Sequence, residues 1–250
     1  MLPDHFQTAI ETLKKLQDQD RYLAMFLFGS AARDEVTEDS DLDVRVVVDE
    51  NNDCTNVNNF FLNGIKMDIT FHSFKQLDEQ MIAQTKSNRV PMIAESVVLF
   101  DKTGELESLK QKFISHKAPV IDPKDFHFRQ FLIRHATNKI ERNIDKDPLA
   151  AMLAMTIGIN DMLKIHYELN QKWWVSNKRI LRDLDKWDTI AAELLRTFLS
   201  THEVHEKFCT WQNITNHILK QMGTQTTSPN YFCGCETCKK DFEALNQLSL

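Results

Sequence analysis

Gly29, Ser30, Asp41, Asp43 and Asp68 have residue types and spacings that could do chemistry together. Gly29 follows directly on the continuous apolar run YLAMFLF (22–28), read as a buried strand. Glycine there admits backbone angles that other residues avoid. Beside it stands the Ser30 hydroxyl, and the next residues, AARDEV, are expected to start a short helix. Such a turn offers N–H groups and the positive end of a helix dipole to an anion such as a phosphate. Asp41 and Asp43 stand two residues apart at the head of the β-branched run LDVRVVV (42–48). On a strand that spacing sends both carboxylates to one face. In GIKMDITFHSF (64–74), Ile65, Met67, Ile69 and Phe71 alternate with Lys66, Asp68, Thr70 and His72, so Asp68 falls on the polar face of a third strand. Three carboxylates converging on one sheet face repel one another unless a cation joins them. Mg²⁺, a hard ion that takes oxygen ligands, fits that need. Two such ions roughly 4 Å apart would bracket the attacking and leaving oxygens of an in-line phosphoryl displacement.

Other elements must position these groups. A helical stripe of Phe6, Ile10, Leu13 and Leu16 precedes the first strand. NND (51–53) marks a turn region, and after the third strand a helix is expected near 75–87. A short strand SVVLF (96–100) and a helix after DKTG follow. Beyond APVIDP (118–123) the pattern becomes helical. Asp122-Pro123 and Asp147-Pro148 each put a capping carboxylate before a proline at the first helical position. Helices are expected over 123–146, 148–171 and, with breaks, 177–221. The fold class is therefore α+β: a small mixed β-sheet domain at 1–118, then an all-helical bundle at 119–250 with a Cys-bearing C-terminal segment. The active cleft is expected between them.

FGSAARDE, then DSDLDV, then the single carboxylate of KMDITF resemble the DNA polymerase β-type nucleotidyltransferase superfamily, specifically over residues 20–75 and more loosely to about 115. Within it the likeness is to bacterial enzymes that adenylylate aminoglycoside antibiotics. The resemblance implies that Gly29 and Ser30 hold a triphosphate, that Arg33 assists them, and that Asp41 and Asp43 bind two Mg²⁺ ions with ATP. Asp68 would complete the metal site or take the proton from the attacking hydroxyl. The chain departs from the family at Asp34, where glycine is common. The implied reaction moves AMP from ATP to a hydroxyl of a small molecule and releases pyrophosphate. Two alternatives stand beside it: adenylylation of a protein hydroxyl, as in antitoxin-like members, and a degenerate module that binds nucleotide or a partner without turnover.

In the helical half, Trp173 and Trp174 precede VSNKRILRDL, with Ser176 or Asn177 as cap. Lys178 resembles a basic residue that family members bring to the triphosphate, and it reads equally as a solvated helix start. His135, Lys139 and Arg142 share a helix face, read first as plain surface. The tryptophans read first as packing, and also suit a polyhydroxylated, cationic acceptor. Cys233, Cys235 and Cys238 lie in CGCETC, close enough to share a structural Zn²⁺, with a fourth ligand from the face His202, His205 and Cys209, His205 above all. Free surface thiols are the other reading.

The formal net charge of −6 argues against a broad basic surface for a nucleic-acid polymer. No apolar run is read as nearing the roughly 18 residues of a membrane span, and no membrane partner is expected. The N-terminus lacks the layout of a secretory signal, so a cytoplasmic location is expected. Oligomeric state leaves no trace in the sequence.

Overall fold

The computed structural model describes residues 4–50, 57–83, 89–223, and 235, 236, 238 and 239. The chain forms two compact units, Met1–Ala118 and Pro119–Leu250. Unit 1 runs α1 (Asp4–Lys14), β1 (Tyr22–Phe28), α2 (Gly29–Ala32), β2 (Leu42–Val48), β3 (Asn58–Leu62), β4 (Ile65–His72), α3 (Phe74–Ala83), α4 (Arg89–Ala94), β5 (Val97–Asp101) and α5 (Glu105–Ile114). Its sheet has the order β3-β4-β2-β1-β5. Among the described residues only β2 and β4 pair in parallel; the other pairs are antiparallel. The mixed sheet expected from the sequence is present.

β1 and β2 are apolar almost throughout because each has a strand on both sides and cover on both faces. Phe6, Ala9, Ile10 and Leu13 of α1 pack on Met25 and Leu27 of β1, Val44 and Val46 of β2, and Met67 and Ile69 of β4. The alternate residues Ala24, Phe26 and Val47 are equally buried on the other face. A strand covered on both faces loses the polar alternation of a half-exposed one, which is why YLAMFLF reads as a run.

Two elements of unit 1 add to the sequence expectation. The first is β3, an edge strand whose first four residues are exposed. It is joined to β4 by the two-residue loop Asn63-Gly64, both at positive φ (51° and 80°). Asn-Gly is the pair that supplies the left-handed angles of a type I′ hairpin, so the signal was present in the sequence although Asn58 and Asn59 carry no strand pattern. The second is α4, a short helix that packs against α5.

Unit 2 is helical: a 3₁₀ turn at Pro123–Asp125, α6 (Phe126–Glu141), α7 (Pro148–Leu169), a 3₁₀ turn at Asn177–Arg179, α8 (Ile180–Trp187), α9 (Thr189–Ser200) and α10 (Val204–Gln221). Both Asp-Pro caps form: Asp122 accepts from Lys124 N at 3.0 Å and Asp147 from Ala150 N at 3.0 Å. By length and composition α7 is apolar enough to cross a membrane, which corrects the expectation that no stretch comes near. One face of it is the centre of the bundle, with Met155, Ile159, Leu163 and Tyr167 buried. Trp211 of α10, fully buried, lies over Gly158 of α7 and donates its indole N–H to Thr137 Oγ1 at 3.0 Å. His202 precedes α10 rather than sharing a helical face with His205 and Cys209, because Glu203 is the N-cap and accepts from Glu206 N at 2.7 Å.

A Cβ at Gly158 would meet Trp211 Cη2 at 2.9 Å, and the ring is held by its bond to Thr137. Gly158→Ala is expected to lower stability by about 1–2 kcal/mol, overpacking outweighing the better helix propensity of alanine. Denaturant unfolding of the two proteins measures it; a stabilised variant contradicts the packing described.

Candidate active site

The parallel register of β2 on β4 sets Asp43 directly beside Asp68. Both side chains are half-buried and lie on the face opposite α1, since their neighbours Leu42, Val44, Met67 and Ile69 point into the α1 core. Neighbouring strands lie about 4.8 Å apart. Two carboxylates set side by side on adjacent strands repel each other. Asp41 immediately precedes β2 and its carboxylate reaches Lys66, Nζ to Oδ2 3.5 Å. Lys66 alternates with Met67 and shares the face of Asp68, so the contact brings Asp41 to that face as well. An exposed pair at this distance contributes little stability, and Lys66 leaves Asp41 open to a stronger partner.

Gly29 closes the site from the side of β1. Its φ is +69°, and a Cβ there would overlap Asp43 Oδ2. The position therefore needs glycine twice over, for its backbone angle and for the approach of main chain to carboxylate. From Gly29 the chain enters α2, and Ser30 O accepts the N–H groups of Arg33 and Glu35 at 3.2 and 3.0 Å. Asp34 takes φ +59°, a left-handed conformation that Asp tolerates and glycine adopts freely. Arg33 is held by two carboxylates, Nε to Glu35 Oε2 at 3.0 Å and Nη1 to Glu95 Oε2 at 3.3 Å. It ties the loop after α2 to the end of α4.

Two residues at the site escaped sequence reasoning. Asn59 of β3 pairs in register with Asp68 and donates from Nδ2 to Asp68 Oδ1. The Asn63-Gly64 hairpin would have placed it there. Arg45, two residues beyond Asp43, is buried with its guanidinium 5.5 Å from the Phe28 ring centroid. Phe28 is itself the register partner of Asp43, so a cation lies behind the acid pair.

The remaining sequence candidates lie in unit 2. Lys178 is exposed in the 3₁₀ turn before α8. Trp174 packs edge-on against Tyr167, ring centroids 5.1 Å apart, as part of the helical core. Cys235 and Cys238 are exposed, with Cys238 N donating to Cys235 Sγ at 3.4 Å. Cys233 lies outside the described residues. His205 Nε2 is 3.4 Å from Asp145 Oδ1.

Residues 11–102 match the family described as Polymerase beta, Nucleotidyltransferase. That stretch is a polymerase β-type nucleotidyltransferase domain. The matched residues span β1 to β5 and include Gly29, Ser30, Asp41, Asp43 and Asp68. Among solved structures the chain is similar to a nucleotidyltransferase-like protein from Exiguobacterium sibiricum 255-15, at 12% identity and TM-score 0.45, over 86% of this chain and 74% of that one. No curated protein matches the chain. The nucleotidyltransferase domain makes the general reaction transfer of a nucleotidyl group, with a nucleotide as one substrate.

Gly29→Ala tests the closure of the site. The strained φ and the overlap with Asp43 are expected to cost about 1–3 kcal/mol of stability. The displaced carboxylate is expected to lower nucleotidyl transfer about 100-fold. Unfolding curves and a pyrophosphate-release assay read the two effects; wild-type activity in the variant contradicts the role given to the approach.

Proposed function

We propose that this nucleotidyltransferase moves AMP from ATP to a hydroxyl of a small molecule, with a polyhydroxylated, cationic acceptor of the aminoglycoside type as the leading candidate. The observation that carries the reading is the register of Asp43 with Asp68, with the Gly29 backbone pressed against Asp43. An all-oxygen donor set of Asp41, Asp43 and Asp68 suits Mg²⁺ and is a poor match for softer metals. The carboxylates stand where their own repulsion calls for a cation, so the residues present fit the ion. When bound, Mg²⁺ would neutralise negative charge on the triphosphate.

The chain's own groups supply the rest. Gly29 and Ser30, at the start of α2, offer main-chain N–H groups and a hydroxyl to the phosphates. Asn59 holds one oxygen of Asp68 and with it the plane of the carboxylate. Asp68 is then oriented to accept the proton of an acceptor hydroxyl as that oxygen attacks the α-phosphorus. The bond from the α-phosphorus to the bridging oxygen breaks, and pyrophosphate leaves. The helical unit is the proposed seat of acceptor specificity, and the net charge of −6 is compatible with a cationic acceptor.

Purified protein incubated with ATP, Mg²⁺ and a panel of aminoglycosides is expected to release pyrophosphate and yield an adenylylated acceptor detectable by mass. Asp43→Asn and Asp68→Asn are expected to lower the rate by about 10²–10⁴ while far-UV circular dichroism stays unchanged. Turnover unaffected by either substitution sinks the assignment of the site. Turnover with other hydroxyl compounds alone sinks only the acceptor.

A further inference from the structure

A second polar cluster lies inside the helical unit, and none of its residues was given a role in the proposed transfer. His166 of α7, Asp188 at the corner between α8 and α9, and His217 of α10 meet at one oxygen. Asp188 Oδ2 lies 2.9 Å from His166 Nε2 and 2.7 Å from His217 Nε2. The other oxygen, Oδ1, accepts from Ala191 N at 2.9 Å and caps α9. His166 is wholly buried, while His217 is 22% exposed and gives solvent a way in.

The proton on His166 can be placed from its far side. Asn170 Nδ2 and Gln221 Nε2 each lie 3.3 Å from His166 Nδ1. Asn170 Nδ2 spends its two hydrogens on His166 O and Gln221 Oε1, both at 2.8 Å, so Gln221 turns its Nε2 to the ring and is the donor to Nδ1. Turning either amide sets like groups face to face. Nδ1 therefore accepts, and the proton of the neutral ring sits on Nε2, which faces Asp188 Oδ2 at 2.9 Å without an aligned hydrogen bond. The same three side chains have the types of a His₂-Asp metal site. Coordination through Nε2 would move the proton of His166 to Nδ1, against the N–H donor of Gln221. Ligands on a tetrahedral Zn²⁺, with bonds of about 2.0–2.1 Å, also stand about 3.3 Å apart, wider than the two distances to Asp188.

We infer that His166, Asp188 and His217 form a proton-sensitive clamp: a second proton on His166 finds no acceptor at Nδ1, so mild acid loosens the junction of α7, the α8–α9 corner and α10. The charged and titratable groups around His166 are few. Asp188 faces it from the corner and His217 from α10. Trp187 of α8 stacks on its ring, centroids 5.0 Å apart at 28°, with Lys172 Nζ 5.7 Å from the Trp187 centroid. Asp183 of α8 is taken up by the Tyr167 hydroxyl at 2.8 Å and Trp187 Nε1 at 3.0 Å.

Burial holds the His166 imidazole below its ordinary value of 6.5; Asp188 opposes that shift and His217 adds to it. Burial pushes Asp188 up, but the Ala191 amide and the two histidines pull it further down, to a net value below the ordinary 3.8. The unfolded chain thus binds the His166 proton at a higher pH than the folded one. Stability from this group is complete above 6.5 and is lost as the pH falls below it; Asp188 adds its own loss only under 3.8.

The test uses the full chain between pH 7.5 and 5. The melting temperature is expected to fall by about 3 °C per pH unit below 6.5, and Trp emission to drop as an imidazolium forms against Trp187. Trp187→Phe should remove the emission change. His166→Gln should flatten the melting profile, while His217→Gln, which keeps a donor to Asp188, should retain it. Should His166→Gln fail to fold, long-range ¹H–¹⁵N spectra of the wild type report His166 directly, with Nε2–H and titration below 6.5 expected. An Nδ1–H tautomer, titration at or above 6.5, or a melting temperature raised by micromolar Zn²⁺ or Ni²⁺ in wild type but not in His217→Gln each overturns the clamp.

Discussion

Two like charges held side by side against their own repulsion set the terms for the first unit. The main-chain hydrogen bonds of the parallel β2–β4 pair put Asp43 beside Asp68, and the side chains cannot drift apart without breaking that register. A slip of one residue would turn the β2 carboxylate into the α1 core. The register is fixed because the opposite faces of both strands are filled by α1. β2 is clasped by β4 and β1, β1 by β2 and β5, and the sheet gives the acids a rigid floor. Gly29 and Asn59 complete the arrangement from either side, one by bringing main chain against Asp43 and the other by fixing an oxygen of Asp68.

The second unit rests on another balance. Its core is a dense apolar bundle in which Trp211 and Tyr167 are buried. Each of their polar atoms has a partner, Thr137 for the indole and Asp183 for the phenol. Buried polar groups in such a core fix its geometry when satisfied and destabilise it when not. Asp188 is the busiest of them. It caps α9 with one oxygen and gathers two imidazoles with the other.

Much of the fold was legible because it is written in periodicity and punctuation. Alternation gave β4, continuous apolar runs gave β1 and β2, and Asp-Pro pairs gave the starts of the 3₁₀ turn before α6 and of α7. Where these signals fade, sequence reasoning fell short. β3 is polar and exposed on an edge, so its strand character comes from pairing with β4 rather than from its own residues, and only Asn63-Gly64 announced it. α4 is too short to show a helical period. α7 is long and apolar overall, but Asn160, Asp161 and Lys164 interrupt its apolar run.

The sequence by itself determined which residue types stand at the site and which face of each strand they occupy, since a side chain's face follows from its parity along the strand. Only the tertiary structure decided that β4 leaves its hairpin partner β3 at the edge and lies parallel to β2, which makes neighbours of residues 43 and 68. It also decided that Arg33 pairs with Glu35 and Glu95, and that residues 166, 188 and 217 meet in one cluster. The reason is physical. Local spacing sets direction, but adjacency between distant segments is chosen by which faces can be buried together, and that choice belongs to the packed chain as a whole.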